Sequence, residues 1–260
     1  MTRDKPHDSA FRPEHDLAFF ASAPHDCSYL PGKTAVTVFV DPEAPMDMLR
    51  YSVLAELGFR RSGNHVYHPR CPQCHACVPA RIPVADFQSS RSQRRTRDYF
   101  LRQGADLSAS VTKPVFHKEH FDLYQHYISA RHRGGGMDNP SSSSYLEFLT
   151  SSWAETEFVE FRDQGRLLAL AVMDKLQRGL SCVYTFFDPS YAAAGLGRYA
   201  LLWQVEEARR RNLDWLFLGF WVDGCKKMQY KQEYRPIELF LGNRWQRFER
   251  KQSLPGYTTP

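Results

Sequence analysis

Three β-rich stretches, residues 157–162, 167–176 and 180–187, follow one another with only Gln164-Gly165 and Arg178-Gly179 to turn the chain between them. Breaks this short leave room for hairpin turns, so the three read as successive strands joined by hairpins. Asp188-Pro189 ends the third, because proline has no amide to extend a ladder. Gly195-Leu196-Gly197 then opens a long helix to Arg211, followed by a further strand at 215–220.

The preceding residues read less regularly. Residues 1–26 are a polar, proline-punctuated extension. A β-branched run at 34–40 precedes a helix at 46–57 closed by Gly58, and a hairpin follows around Ser62-Gly63-Asn64. With a cysteine loop and a strand near 81–84, residues 27–90 group as a small α/β module. Residues 91–104 read as a basic linker helix, opened near Ser90 and stopped by Gly104. A second domain spans 105–245: a strand at 107–112, a helix at 117–132 with Phe121, Tyr124 and Ile128 on one face, and a short helix to Leu149 capped within Ser141–Ser144. Residues 246–260 form a tail. The expected class is α+β, an N-terminal α/β module with a cysteine-rich loop followed by an acyltransferase core of the GNAT type, whose order of hairpins, glycine turn, helix and strand this is.

Composition narrows the function. The 260 residues are 42% hydrophobic, enough for one large or two ordinary cores, and no apolar run approaches the ~20 residues of a membrane span. With no secretory signal pattern, the expectation is a soluble cytoplasmic protein without a membrane partner. The net charge of +5 is modest for this length, so its distribution matters more than its total.

Positive charge concentrates at Arg91, Arg94, Arg95, Arg97 and Arg102, one helix able to face a phosphate backbone while Tyr99 and Phe100 anchor its other side; RNA is the partner this implies. Arg131-His132-Arg133, just before Gly134-Gly135-Gly136, gathers cationic donors beside a permissive backbone, as a pocket for a small acidic group requires, and Arg81 is a second candidate. Cys71, Cys74 and Cys77 sit at spacing suited to a soft metal, with Cys27 as the fourth ligand; zinc and an iron–sulfur cluster both fit, and His68 or His75 could replace a sulfur. Asp174 and Asp188 bracket two strands as base or positioner. Ala192–Ala194 lack the Gln or Arg that acetyl-CoA enzymes place before such a glycine turn. Two other functions stay open on these grounds: an acetyltransferase, and a non-enzymatic, metal-stabilised RNA-binding module.

The motifs Cys27-Ser28-Tyr29-Leu30-Pro31-Gly32, Gly58-Phe59-Arg60-Arg61-Ser62-Gly63, Cys71-x-x-Cys74-x-Ala76-Cys77-x-Pro79-x-Arg81, Gly135-Gly136-Met137 and Lys227-Met228-x-Tyr230-Lys231 together give a resemblance over nearly the whole chain. The chain resembles the bacterial aspartate/glutamate leucyltransferases, relatives of the arginyl-tRNA–protein transferases of the N-degron pathway. The resemblance implies transfer of leucine from leucyl-tRNA to the α-amine of proteins beginning with Asp or Glu, marking them for proteolytic machinery downstream. Arginyl-tRNA as donor stays open at the level of residues. No cofactor is implied for the transfer, since the aminoacyl ester is already activated. Asp174 is then expected as base or amine positioner, Tyr184 or Tyr230 as donor to the oxyanion or leaving oxygen, and Lys227 and Lys231 as contacts to tRNA.

Overall fold

The computed structural model describes residues 17–102, 107–131 and 138–256. Gly104, His132, Arg133 and the glycine triplet lie outside them. Strands β1 (Phe19–Ala21), β2 (His25–Asp26), β3 (Thr34–Ala35) and β4 (Thr37–Val40) precede helix α1 (Met48–Glu56), then β5 (Arg60–Ser62), β6 (His65–Pro69) and β7 (Cys77–Pro83). Helix α2 (Arg91–Arg102), β8 (Ser108–Thr112), α3 (Lys118–Arg131) and α4 (Ser142–Leu149) lead into β9 (Thr156–Asp163), β10 (Arg166–Leu176) and β11 (Gly179–Phe187). Helix α5 (Leu196–Arg210), β12 (Trp215–Val222), β13 (Ile237–Leu241) and β14 (Arg244–Phe248) complete the order.

An eight-stranded sheet ordered β14-β13-β7-β12-β11-β10-β9-β8 forms the middle layer. β10 reads as a nearly continuous apolar run because both its faces are covered. Ala169, Ala171 and Met173 pack with Leu196, Ala200 and Val205 of α5, while Leu170 and Val172 pack with Tyr124 and Ile128 of α3 and Tyr145 and Leu149 of α4. The first hairpin turns where expected, with Gln164 and Gly165 at φ 48° and 84°. The second turns one residue earlier than expected. Gly179 is already the first residue of β11, and a Cβ there would lie 2.6 Å from the Trp215 carbonyl oxygen. Its glycine serves close approach to β12 rather than the turn.

The local signals for helices hold. Asp47 caps α1 by accepting from the Arg50 amide at 2.8 Å, and Ser141 and Ser144 form a reciprocal capping box on α4. Ser90 and Gln93 form another at the start of α2. The expected partition into modules does not match the sheet. β7, placed by sequence in the N-terminal module, is hydrogen-bonded between β12 and β13 in the large sheet. β14 reaches Phe248, so the supposed tail begins inside that sheet, and β1 and β2 lie within the supposed extension. A four-stranded sheet, β1-β4-β6-β5, stands beside the core and is pinned to it by a buried ion pair from Arg61 to Asp174. Among the described residues no helix is long and apolar enough to cross a membrane.

Candidate active site at the sheet fork

β11 and β12 run parallel but pair over only three rungs, ending at Ser181↔Phe217. Beyond that rung they part: β11 follows β10 to Phe187, and β12 follows β7 to Val222. Each carries an irregularity near the apex. In β11, Tyr184 pairs with Val172 and Cys182 with Met173, leaving Val183 as a bulge; in β12 the register shifts between Phe217 and Gly219, where φ is +75°.

Arg60, at the start of β5, lies across the opening. Its Nη1 donates to Ser181 Oγ at 3.1 Å and its Nη2 to the Cys182 carbonyl. A Cβ on Gly219 would come within 3.1 Å of its Cζ, so β12 needs glycine there to pass the guanidinium. Lys231, from a short 3-10 turn over Gln229–Glu233, is 4% exposed and donates from Nζ to the Phe220 carbonyl. Burial, reinforced by Arg60, lowers its pKa to about 7.

Tyrosines form the walls. Tyr184 stands 5.2 Å from the Phe148 ring and 6.3 Å from that of Tyr127. Tyr230 is exposed as a residue, yet burial around its hydroxyl raises its pKa, as burial also does for Tyr184. Both phenols therefore stay protonated donors at neutral pH. Arg131, at the exposed end of α3, is close enough to bias the hydroxyls of Tyr127, Tyr184 and Tyr230.

Of the residues singled out by sequence, Lys231 reaches the fork with Tyr230 beside it in the same turn, and Tyr184 and Tyr230 both lie within the electrostatic reach of Arg131, while His132 and Arg133 lie outside the described residues. Two others sit elsewhere. Asp174 is fully buried and receives Arg61 Nε at 2.5 Å, Arg61 Nη2 at 2.6 Å and Thr156 Oγ1 at 2.8 Å, so its carboxylate faces a structural partner rather than a substrate. Arg81 is buried between the Trp215 and Trp245 rings, 3.8 and 4.1 Å from their centroids, and pairs with Glu56 and Glu238 at 2.5 and 2.6 Å. That leaves it no fork to offer an acceptor carboxylate. Asp188 caps the turn after β11, accepting from the Ser190 amide. Arg60 stands out in the sequence only as part of a motif; no spacing rule marks an arginine at a strand start as a site residue.

The basic helix behaves differently on its two sides. Gln93, Thr96 and Phe100 are buried, while Arg91, Arg94, Arg95, Arg97 and Arg102 are exposed. Tyr99, expected as an anchor, is instead exposed. α2 packs on the N-terminus of α5, where the Thr96 methyl lies 3.2 Å from the place of a Cβ on Gly195. Gln93 Nε2 also donates to the Glu233 carbonyl at 3.3 Å, tying the basic helix to the turn that carries Tyr230 and Lys231. Lys227, just before that turn, is exposed, whereas buried Lys231 is not presented to a phosphate backbone.

Cys27, Cys71, Cys74 and Cys77 line one cleft of about 410 Å³, together with His68 and His75. The cluster expected from spacing therefore gathers, but among the described residues no three His, Cys, Asp or Glu side chains converge closely enough to hold a metal ion. Burial and the neighbouring thiols push the Cys77 thiol up to about 12. As they are placed, these side chains do not form a metal site.

The core is thus a mixed α/β fold in which antiparallel strands fork from a parallel neighbour, with a helical crossover between the two parted strands. The family described as "Arginine-tRNA-protein transferase" matches at residues 25–95 for its N terminus and 119–241 for its C terminus. An aspartate/glutamate leucyltransferase of Pseudomonas entomophila (strain L48) is 52% identical over 88% of this chain and 96% of its own length, and one of Pseudomonas fluorescens (strain Pf0-1) is 51% identical over the same shares. The chain belongs to this transferase family. Solved structures are more distant: FemX has a TM-score of 0.45 at 8% identity, covering 82% of this chain and 81% of its own.

Proposed function

We propose that this protein transfers leucine from leucyl-tRNA to the α-amine of proteins beginning with Asp or Glu, in the cytoplasm, and so marks them for downstream proteolysis. The name shared by its half-identical relatives supports the reading. The observation that carries it is the join between a basic helix and the fork: Gln93 of α2 bonds to the turn bearing Tyr230 and Lys231, so the helix that presents the arginines is anchored directly to the turn at the opening.

The chemistry asks little of a base. An α-amine titrates near 8, so a useful fraction is neutral at physiological pH and attacks the ester carbonyl once positioned. The new C–N bond forms as the C–O bond to the terminal ribose breaks; the ammonium proton leaves the nitrogen and the departing ribose oxygen gains one. Tyr184 and Tyr230, both protonated, supply donors to the oxyanion and leaving oxygen. Asp174 takes no proton-transfer part in this scheme, because Arg61 and Thr156 occupy its oxygens. The ester is already activated, so no nucleotide or acetyl-CoA enters. No part of this scheme calls on Cys27, Cys71, Cys74 or Cys77; metal analysis of the purified protein, with transfer assayed before and after chelation, tests whether zinc or an iron–sulfur group is held there.

Arg131 at the mouth, continued by His132 and Arg133, is the proposed receiver of the acceptor's acidic side chain. Arg131→Ala is expected to raise KM for Asp- and Glu-initiated peptides by ~10–100-fold, the worth of one charged hydrogen bond, with kcat little changed. The assay follows labelled leucine from leucyl-tRNA into peptides beginning with Asp, Glu, Ala or Arg, with arginyl-tRNA as a parallel donor. Label on Asp and Glu peptides from leucyl-tRNA alone supports both donor and acceptor; label from arginyl-tRNA alone replaces the donor, and label on none overturns the reading.

A further inference from the structure

The fork leaves two strand edges without their usual bonds. Past Ser181↔Phe217, the facing edges of β11 and β12 lose their ladder partners, yet the Cys182 and Phe220 carbonyls are not orphaned. Two side-chain cations take them: Arg60, entering from β5 on the side where Gly219 clears space, and Lys231, entering from the turn after β12. An apolar side chain would fill the same gap and leave the carbonyls unsatisfied, and a carboxylate would repel them; only a donor both widens the gap and satisfies it. Among the described residues no carboxylate pairs with this lysine, so keeping it in so buried a place is unfavourable, and its lowered pKa reflects that.

We propose that Arg60 and Lys231 are positioning residues that form a two-cation wedge, standing in for the missing ladder bonds so that β11 and β12 stay parted around the bound ester and amine. The proposal rests on the transfer reading for its activity arm, but its structural arm is independent. Without the wedge, the freed carbonyls take amides from the facing strand and the fork closes by a rung or more.

The test compares full-length wild type with Arg60→Met, Lys231→Met and Arg60→Lys, measuring leucyl transfer and amide hydrogen exchange over residues 182–187 and 218–222. In both Met variants kcat should fall by about 100-fold, the cost of a misplacement near 1 Å, while the KM for leucyl-tRNA, governed by α2, stays within about threefold. The same amides should exchange more slowly than in wild type as the strands pair, and Arg60→Lys should recover part of both effects. Lost activity with unchanged or faster exchange overturns the wedge, as does unchanged activity. If one Met variant does not fold, the other decides; if wild type itself transfers nothing, the transfer reading fails and exchange alone judges the wedge.

Discussion

Asp174→Ala should lower the free energy of unfolding by about 3–5 kcal/mol, because it strands the Arg61 guanidinium in a site where neither side chain meets solvent. The remaining acceptors around Arg61, the Leu149 carbonyl at 3.0 Å, Thr156 Oγ1 at 3.0 Å and the Gly63 carbonyl at 3.4 Å, are neutral and replace only part of the carboxylate. Urea denaturation checks the loss, and Arg61→Met with Asp174→Leu in one chain should recover much of it, since a volume-matched apolar pair removes the uncompensated charge. A catalytic base would behave in the opposite way: the alanine variant would unfold like wild type and fail to turn over. Because the pair joins β5 to β10, the same denaturation experiment reports on how firmly the small sheet, with Arg60 at its edge, is held against the core.

Replacing Arg91, Arg94, Arg95 and Arg97 together by glutamine should weaken leucyl-tRNA binding by ~100–1,000-fold at physiological salt and flatten the dependence of log K on log salt by up to about 4, roughly one unit for each phosphate that is no longer neutralised. All four are exposed, Arg91, Arg94 and Arg95 on the side away from Gln93, Thr96 and Phe100 and Arg97 on its flank, and Arg91 and Arg95 have no acidic partner among the described residues. Their removal leaves the packing of α2 on α5 in place, so thermal unfolding should move little. Filter binding across a salt series measures both quantities. Equal affinity with an equal slope would mean that the tRNA lies on another face and that this one is merely solvated.

The elements were legible where local chemistry decides them. The hairpin at Gln164-Gly165, the serine cap on α4, the Ser90 box on α2 and the glycine stop after α1 each act within four residues, and each is found where the pattern puts it. What sequence missed is set at long range. Arg81 looked like a free cation beside a cysteine loop, but its partners Trp215, Glu238 and Trp245 arrive from far along the chain. Asp174 reads as a base or positioner because it and Asp188 bracket two strands; its explanation, Arg61, lies 113 residues earlier. Tyr230 and Lys231 share one short turn beside the parted strands, and Tyr184 lies on β11 past its last rung with β12, yet Arg60, which sits between the parted strands, is visible only once β11 and β12 are seen to diverge.

The placement of β7 reaches beyond the site. An interior strand of the main sheet is made early in synthesis, but its two neighbours, β12 and β13, leave the ribosome only after most of the chain, and one bond across that junction, Arg81 to Glu238, closes a separation of 157 residues. Until then both edges of β7 are open templates for a foreign strand. The two segments that the family matches separately are therefore not two foldable pieces: cut apart, the first would carry a sticky interior strand and the second a sheet with a slot in it.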